Sequence, residues 1–506
     1  MRDVTLGVEF GSTRIKAQAI DDNFIPVSSG GFTWKSTYEN GIWTYSLDDV
    51  RKGFIEALSG LDRDLNIKSL GISAMMHGYL AFDKNWNLLV PFRTWQNTIT
   101  AEAAACLTKE FDFNIPQRWS IAHLYRAILN DESHVKDIAH ITTLSGYVNY
   151  MLTGKFTLSV GDASGMFPID PETCDFDEEM LNKFDDLIKD RNYPWKIRDI
   201  LPKVLTAGEI AGYVTEKGSE FAGGLIPAGV KTAPPEGDAG TGMAATNSVA
   251  PRTGNISAGT SIFAMVVLEK PLSKVYEEID IVTTPSGKPV AMVHCNNCTN
   301  DTNAWESIFK EVAALTGKEI TDDEIFPMLY KKTLEGSPDC GGVVVVNYMA
   351  GEGVTHFDEG RPMVIRLPGC DFTLANFFRA QLYSTMTTLK IGLRILENEN
   401  VKIDSLTGHG GLFRHKGIGQ RYLAAACNTK VTCMSSAGEG GPYGMALLAK
   451  YMDYTDMTLE DFLEKKVFSS AEKTFESPRK EDVEGFNAYL ERFEKALDAE
   501  KAAINQ

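Results

Sequence analysis

The sequence predicts an α/β protein built from two domains. At 506 residues the chain is too long for a single hydrophobic core. Segments with strand periodicity alternate with segments of helix periodicity, which is typical of α/β folds. In addition, a glycine turn flanked by two strand patterns occurs twice. The repeat predicts a duplicated scaffold, with one copy in each domain.

The first element is a β-hairpin at the amino terminus. Apolar side chains recur at every second position over Val4–Val8 and again over Ile15–Ala19, on either side of Gly11-Ser12-Thr13. A period of two on both arms predicts two strands joined by a tight turn. The same pattern returns in Gly254–Ser261, and the two copies align Gly11 with Gly259.

Both turns carry groups that can bind phosphate. Glycine lets the backbone approach a ligand closely, and backbone N–H groups and hydroxyls donate to phosphate oxygens. Either turn alone is more consistent with an ordinary hairpin. The pair favours two phosphate-binding tips, formed by Gly11, Ser12 and Thr13 and by Gly259, Thr260 and Ser261. Neither turn ends in the lysine of a phosphate loop or leads from a strand into a helix, which disfavours the common nucleotide folds.

Between the two hairpins, helix periodicity predicts a helix over Val50–Leu65, and Ser69–Ala74 has the pattern of a short buried strand. Small and polar residues over 244–253 indicate a crossing between domains. We therefore predict a first domain over 1–247 that carries the first phosphate tip, a second domain over 248–465 that carries the other, and a helical extension over 466–506.

The second half continues with core elements. Gly341–Tyr348 is an apolar run of strand length, and Leu374–Leu396 has the pattern of a long helix with several apolar faces. The charged segment 470–506 is mostly helical in pattern and is expected to dock as a surface helix. Its apolar side chains at helical spacing are Phe486, Tyr489, Leu490, Phe493 and Leu497.

The composition excludes several classes of partner. The net charge of -18 opposes broad binding to nucleic acid, and no lysine or arginine cluster indicates a membrane surface. The chain starts directly in a strand pattern, and no run of about 18 apolar residues occurs. We expect a cytoplasmic protein with small-molecule partners, no nucleic acid and no membrane, and we leave a homodimer open.

The cysteines are expected to be buried, reduced thiols. Cys295 and Cys298 have the spacing of a redox or metal motif. A tetrahedral site needs a second pair of ligands, and no matching cluster follows nearby in the sequence. We therefore expect no structural zinc.

One carboxylate has the setting of a general base. Asp238 lies among glycines in Glu236-Gly237-Asp238-Ala239-Gly240, which predicts a loop that runs close under a ligand. A substrate hydroxyl becomes a good nucleophile when a positioned group accepts its proton, and aspartate does this in other phosphoryl transferases.

Several motifs together resemble the FGGY carbohydrate kinases, in the order found in that family and over most of the chain. They are Gly7–Thr13, Met75–Gly78, Tyr150–Lys155, Asp162–Met166, Glu236–Gly240, Ser257–Ser261, Met349–Gly353 and Gly408–Gly411. The resemblance implies a fold of the actin, hexokinase and Hsp70 type, with two ribonuclease-H-like domains around a cleft that binds ATP and sugar. It makes 1–247 the sugar-binding and phosphate-turn domain and 248–465 the nucleotide-binding domain.

The same resemblance assigns roles to residues. Asp238 would be the base, and both tips would bind the phosphates of ATP. Mg²⁺ would bridge phosphate oxygens, with Glu9 and Asp238 holding it directly or through water. The adenosine would lie along Gly410, Gly411, Gly438 and Glu439. The sugar would contact Met76, His77 and Gly78, together with Trp95, Gln96 and Asn97.

Two positions depart from the family pattern. Glu9 stands where the family usually has aspartate, so its carboxylate reaches one methylene further. Ala239 stands where xylulose kinases commonly have asparagine, which removes an amide that could contact sugar. Glu9 is expected to act through a water or from a slightly shifted backbone, and the loss of the amide at Ala239 leaves the identity of the sugar open.

These observations predict an ATP-dependent kinase for a small sugar or polyol, most of all a ketopentose such as xylulose or ribulose. One alternative is an ATPase that activates another protein, with Cys295 and Cys298 as cluster ligands. Another is a degenerate kinase that only binds sugar, in which Glu9 and Ala239 mark lost chemistry. Asp238 and both phosphate tips argue against the second alternative.

Overall fold

The computed structural model describes residues 1–413, 417–434 and 440–504. The chain divides into two units. The first comprises Met1–Pro251, Lys274–Val290 and Glu439–Ala471, and the second comprises Arg252–Ser273, Ala291–Gly438 and Glu472–Gln506.

The strands are, in chain order, β1 Arg2–Phe10, β2 Arg14–Ile20, β3 Pro26–Thr33, β4 Thr37–Glu39, β5 Ile42–Thr44, β6 Leu65–Ala74, β7 Leu80–Phe82, β8 His140–Thr142, β9 Thr157–Ser159, β10 Ile169–Asp170, β11 Asp175–Phe176, β12 Lys203–Leu205, β13 Gly212–Tyr213, β14 Lys231–Thr232, β15 Glu236–Gly237, β16 Thr253–Ala258, β17 Ile262–Val267, β18 Asp280–Thr283, β19 Pro289–Cys295, β20 Val343–Val346, β21 Met363–Arg366, β22 Ser405–Gly410, β23 Lys430–Met434 and β24 Lys473–Glu476.

The α-helices are α1 Leu47–Ser59, α2 Ala101–Phe111, α3 Ser120–Leu129, α4 Leu144–Thr153, α5 Val160–Ala163, α6 Glu178–Ile188, α7 Ile197–Ile200, α8 Glu216–Phe221, α9 Asp238–Ala245, α10 Asn300–Leu315, α11 Asp322–Thr333, α12 Leu374–Asn398, α13 Ile418–Cys427, α14 Gly440–Tyr451, α15 Leu459–Phe462 and α16 Lys480–Ile504.

The first unit is built on a mixed sheet with the order β13-β14-β6-β1-β2-β3, and β15 also pairs with β6. The predicted amino-terminal hairpin is confirmed, because β1 pairs with β2 in antiparallel register. β6 lies parallel to β1, to β14 and to β15. Alternate side chains of β1, such as Leu6 and Val8, are fully buried in the core. The carboxyl end of β6 therefore has a strand on each side of it.

Helix α14 packs closely on this sheet because glycines face it. A Cβ atom on Gly7 would lie 2.5 Å from the backbone N of Ala446, and one on Gly71 would lie 2.8 Å from Cγ of Met445. No side chain fits in such gaps, so these strand positions need glycine. The close approach places the first turn of α14 beside the end of β1 that leads into the hairpin tip.

The second unit repeats the central part of this arrangement. Its own strands follow the order β19-β17-β16-β22-β23-β24. β16 and β17 form the second predicted hairpin, which is confirmed, and β22 lies parallel to β16. The hairpin with a parallel strand beside its first arm thus occurs in both units, as expected for a duplicated scaffold.

Some predicted elements differ in their bounds from the observed ones. The helix predicted over 50–65 is α1, which begins at Leu47 after the capping hydroxyl of Ser46 and ends at Ser59. Residues near Leu65 instead begin β6. The apolar run near 341–348 forms the short strand β20, while the long helix predicted from Leu374 is confirmed as α12.

The carboxy-terminal helix α16 is an integral part of the second unit. Phe486, Tyr489 and Phe493 are fully buried, and the Tyr489 hydroxyl donates to the carbonyl oxygens of Val345 and Ala380 at 3.1 Å each. The apolar spacing in the sequence predicted the docking face. It did not predict this depth, because the partners lie far away in the chain.

Among the described residues, no helix is both long and apolar enough to cross a membrane.

Candidate active site

Asp238 is the first residue of helix α9, not part of a loop as the sequence indicated. The small residues after it continue directly into the helix. Its Oδ1 accepts a hydrogen bond from the backbone N of Met76 at 3.1 Å. The residue is open to solvent on one side. Burial on its other sides raises the pKa of Asp238, while N–H groups of Met76 and Ala239 oppose the shift. The arrangement suits a carboxylate that accepts a proton.

Asp238 and the first tip flank the same strand end. In the sheet, Phe10 of β1 and Gly237 of β15 both pair with Ala74, the last residue of β6. Gly11 and Asp238 therefore each follow directly after a residue paired with the same position. The predicted base and the predicted phosphate tip are thus brought to one edge of the sheet.

Glu9 lies at this edge as well. Burial raises its pKa to about 7, the positive charge of Lys16 lowers it, and the negative charge of Asp238 raises it. Lys16 is the residue opposite Glu9 in the hairpin. Sequence reasoning missed Lys16, although alternation in a hairpin places residues opposite each other on one face and could have found it.

The longer side chain of Glu9 fits because the residue facing its carboxylate, Gly441, is a glycine. A Cβ atom on Gly441 would overlap Oε1 of Glu9 and would lie 3.2 Å from Oγ1 of Thr241. Gly441 belongs to the first turn of α14, which packs on β1. The carboxylate of Glu9 therefore occupies the space that a side chain at 441 would take.

The carbonyl groups of the first tip are held from behind by aromatic residues. The indole N–H of Trp34 donates to the Gly11 carbonyl at 2.7 Å, and the Tyr45 hydroxyl donates to the Ser12 carbonyl at 2.6 Å. Among the described residues, no group accepts from the backbone N–H groups of Ser12 and Thr13. Free N–H donors beside small hydroxyls are what a phosphate group needs.

The second tip is fastened in a similar way. The Thr299 hydroxyl donates to the Gly259 carbonyl at 2.7 Å, and the backbone N of Cys298 donates to the Thr260 carbonyl at 3.0 Å. The space around Gly259 is open, since a Cβ atom there would have no neighbour within 4 Å. Ser261 closes the turn by accepting from the Gly259 N–H at 2.9 Å.

The predicted adenosine residues lie beside the second tip where the structure describes them. Gly410 pairs with Ala258, the last residue before that tip, and its φ of +100° needs glycine. Gly411 follows and begins a short 3₁₀-helix. Gly438 and Glu439 lie outside the described residues.

The predicted sugar residues 76–78 follow β6 and are buried. The Met75 N–H donates to the Phe10 carbonyl at 2.9 Å, which ties this segment to the first tip. His77 has a φ of +70°, and its Nδ1 lies 3.1 Å from the Gly165 carbonyl oxygen. Its ring stacks on Trp119 with centroids 6.3 Å apart. A strained residue beside a candidate base is typical of a functional segment.

The residues of the predicted sugar-binding segment 95–97 differ in their exposure to solvent. Trp95 is 39% exposed, and its indole N–H donates to the Ser12 hydroxyl at 3.2 Å, which links it to the first tip. Gln96 is partly buried, and its Oε1 has no hydrogen-bond partner among the described residues. Asn97 is buried, and its amide group bonds to the backbone of Trp43 and Thr94. Trp95 thus offers an exposed face and Gln96 an unpaired side-chain oxygen, whereas Asn97 holds the backbone of the segment in place.

Two further carboxyl groups lie behind Asp238, and sequence reasoning assigned them no role. Asp162 and Glu236 are each 1% exposed. Burial raises the pKa of Asp162 to about 7 and that of Glu236 to about 8, so both groups ionise much less readily than ordinary carboxyl groups. Only the position of Glu236 two residues before Asp238 could have drawn attention to it.

The donor set fits magnesium bound mainly through other ligands. Within the described parts of the chain, no three His, Cys, Asp or Glu side chains form a group that could hold a metal ion. Glu9 and Asp238 nevertheless supply two neighbouring carboxylates, and Mg²⁺ prefers one or two carboxylates together with waters and phosphate oxygens. They are the residues here that would hold it.

The cysteine pair lies beneath the second tip. Cys295 and Cys298 are buried, and burial raises the pKa values of both thiols. Raised pKa values leave them as thiols, which are poor metal ligands and poor nucleophiles. Cys298 contributes its backbone N–H to the tip, as described above.

Comparison with known protein families agrees with this geometry. Residues 4–231 match the N-terminal domain of the FGGY family of carbohydrate kinases, and residues 254–452 match its C-terminal domain. The chain belongs to the FGGY family. It is therefore a carbohydrate kinase. Each of the two matched ranges contains one of the repeated hairpins, in agreement with the predicted duplication.

Among similar proteins, the xylulose kinase of Haemophilus influenzae is 23% identical over 395 residues, which covers 76% of this chain and 75% of that protein. The L-fuculokinase of Escherichia coli K12 is 22% identical over 244 residues, which covers 45% of this chain and 49% of that protein.

Solved structures share the fold. The xylulose kinase of Rhodospirillum rubrum superposes with a TM-score of 0.81 at 14% identity, over 99% of this chain and all of that one. The gluconate kinase of Lactobacillus acidophilus superposes with a TM-score of 0.79 at 15% identity, over 99% and 98% of the two chains. The predicted two-domain fold of the actin and hexokinase type is confirmed.

Proposed function

We propose that this FGGY kinase transfers the γ-phosphoryl group of ATP to a hydroxyl of a small sugar, most of all a ketopentose such as xylulose or ribulose. The observation that carries the proposal is the meeting of Asp238 and the first hairpin tip at the carboxyl end of β6. A candidate proton acceptor and hydrogen-bond donors suited to phosphate therefore lie at the same edge of the sheet.

In this proposal Asp238 accepts the proton of the sugar hydroxyl as that oxygen bonds to phosphorus and the bond to the leaving ADP oxygen breaks. Its raised pKa makes Asp238 a stronger proton acceptor than an ordinary aspartate. The N–H groups and hydroxyls of both tips bind phosphate oxygens. Mg²⁺, when bound, neutralises phosphate charge, and Glu9 and Asp238 would hold it directly or through water.

The choice of a ketopentose as substrate has its own support. Relatives named xylulose kinase support it. The buried segment 76–78 and the exposed face of Trp95 would contact the polyol, since an aromatic face suits C–H groups and His77 offers a hydrogen-bonding ring. A homodimer and a cytoplasmic location stay predictions.

The test is MgATP turnover in a coupled ADP assay with ketopentoses, ketohexoses, pentitols, gluconate and glycerol. Strong stimulation by one ketopentose over the reaction without sugar is expected. Stimulation by another sugar would retain the kinase and replace the substrate. Steady hydrolysis that no sugar stimulates would support the activator ATPase, and sugar binding without any turnover would support a degenerate kinase.

A further inference from the structure

The strand-to-helix turn that carries Asp238 is held by a carboxyl side chain folded back on it. Glu236 and Gly237 form β15, and α9 begins at the next residue. Oε1 of Glu236 accepts the backbone N–H of Gly237 at 2.9 Å. The peptide group between Glu236 and Gly237, one position before the base, is thus bound by the Glu236 side chain.

Two glycines make room for this carboxyl group. A Cβ atom on Gly161 would overlap both of its oxygens, and one on Gly240 would lie 2.7 Å from its Cδ. Gly161 is in α5 and Gly240 is in the first turn of α9. The Glu236 side chain therefore fills a pocket between the helix that carries Asp238 and a neighbouring helix.

Asp162 closes the other side of the same turn. A Cβ atom on Gly237 would lie 3.2 Å from its Oδ1. Its Oδ2 accepts from the hydroxyls of Thr143, at 2.7 Å, and Ser145. Among the described residues, Oδ1 of Asp162 and Oε2 of Glu236 have no hydrogen-bond partner. Two buried carboxyl groups would cost stability if they served packing alone, because apolar side chains of equal volume avoid that cost.

We propose that Glu236 is a positioning residue, which with Asp162 holds the turn so that the Asp238 carboxylate stays on the Met76 N–H and in line with the substrate hydroxyl. The inference rests on the proposed function for its kinetic part. Glu236 does not contact the reacting atoms. It acts through Asp238, and a displacement of about 1 Å at such a group can cost about 100-fold in rate.

The test compares Glu236→Ala with Glu236→Gln. Alanine leaves the pocket empty and frees the turn, so kcat is expected to fall about 10- to 100-fold, with the KM values for sugar and MgATP within about twofold of wild type. Glutamine keeps the shape and the acceptor for Gly237, so most of kcat is expected to return. A loss as large in Glu236→Gln as in Glu236→Ala, or an unchanged kcat in both, would overturn the positioning role.

Gly240→Ala tests the same contact from the other side. In the wild-type background the added methyl group displaces the carboxyl group, and kcat is expected to fall. In the Glu236→Ala background the methyl group enters the emptied pocket, so the second substitution is expected to cost little. Equal costs in both backgrounds would show that the two residues act independently and would contradict the proposal.

Glu209→Gln is the matched control, because Glu209 is exposed and its Oε2 accepts from the backbone N of Thr206 at 2.6 Å in a turn outside the site. If neither the wild type nor the control showed sugar-dependent turnover, the proposed function would be wrong. Crystal structures then still test the positioning role, since Glu236→Ala is expected to lengthen the contact between Asp238 Oδ1 and the Met76 N, and an unchanged contact would refute it.

Discussion

At the scale of single residues, the site depends on carboxyl groups whose surroundings differ. Asp238 is open to solvent on one side and receives backbone N–H groups. Glu9 shares its edge with Lys16 and Asp238. Glu236 and Asp162 are buried behind them. We propose that the same functional group serves as base, as metal ligand and as support, according to its neighbours.

Asp238→Asn is expected to lower sugar-dependent kcat by about 10²- to 10⁴-fold, because an amide cannot accept the hydroxyl proton. Asparagine can still accept the Met76 N–H, so the fold and MgATP affinity should persist. Coupled turnover and calorimetric titration with MgATP measure the two quantities. Turnover within a factor of a few of wild type would refute the base assignment.

Gly441→Ala is expected to displace the Glu9 carboxylate and to lower kcat by about tenfold or more, since the new Cβ overlaps Oε1. Glu9→Asp shortens the carboxylate and should restore part of the rate in the double variant. Gly353→Ala is the control glycine, because a Cβ atom there meets nothing within 4 Å. Steady-state kinetics measure kcat for Gly441→Ala, Glu9→Asp, the double variant and Gly353→Ala. Full activity of Gly441→Ala would contradict the contact between Gly441 and Glu9.

At the scale of elements, the last helix is joined to the second unit by a buried ion cluster. Asp482 of α16 is fully buried and accepts from Arg379 Nη2 of α12 at 2.8 Å and from Arg421 Nε of α13 at 2.6 Å. Burial opposes its charge, yet the hydrogen bonds from Arg421 and Arg379 hold its pKa below the ordinary value. Three helices thereby meet at one carboxylate.

Asp482→Ala is expected to destabilise the protein by about 3 to 5 kcal/mol, because it leaves two guanidinium groups without their partner. Chemical denaturation monitored by circular dichroism measures the loss. Glu481→Ala is the control: its side chain is 70% exposed and lies 3.7 Å from Arg421, so about 0 to 1 kcal/mol is expected. Equal losses of stability in the two variants would show that the buried cluster stabilises the protein no more than an exposed ion pair does.

At the scale of the whole molecule, buried ionisable groups set how stability depends on pH. Burial raises the pKa values of Asp162 and Glu352 to about 7 and that of Glu236 to about 8. Their stabilising contribution is complete below their unfolded pKa values and is lost as pH rises through the folded ones. Burial lowers the pKa values of His123 to about 3 and His409 to about 4. Their contribution is lost as pH falls below about 6.5.

Above pH 6.5 the carboxyl groups and the histidines no longer oppose each other. Between pH 6.5 and 8 the histidines are neutral in both states, so the carboxyl groups dominate and the unfolding temperature should fall. Glu236→Gln removes one of these groups and should make the fall shallower. Scanning calorimetry of both proteins at pH 6.5, 7.2 and 8 tests this, and parallel curves would contradict an ionising Glu236.

Much of the fold and part of the site followed from local sequence patterns. Alternation around Gly11 and Gly259 predicted both hairpins, because strand periodicity and turn residues act over a few positions. The apolar pattern from Leu374 predicted α12 for the same reason. Asp238 stood out because its glycine neighbours are adjacent in sequence. Such features need no knowledge of distant residues.

Other features were decided by tertiary structure. The pairing of both Phe10 and Gly237 with Ala74 joins segments far apart in the chain, as does the contact of Gly441 with Glu9. The burial of Glu236 depends on Gly161, whose role no local pattern reveals. The sequence by itself determined the repeated hairpins and identified Asp238 and the two tips as the residues proposed to carry the chemistry. Only tertiary structure decided their surroundings, because burial and close approach arise between elements that the chain connects at long range.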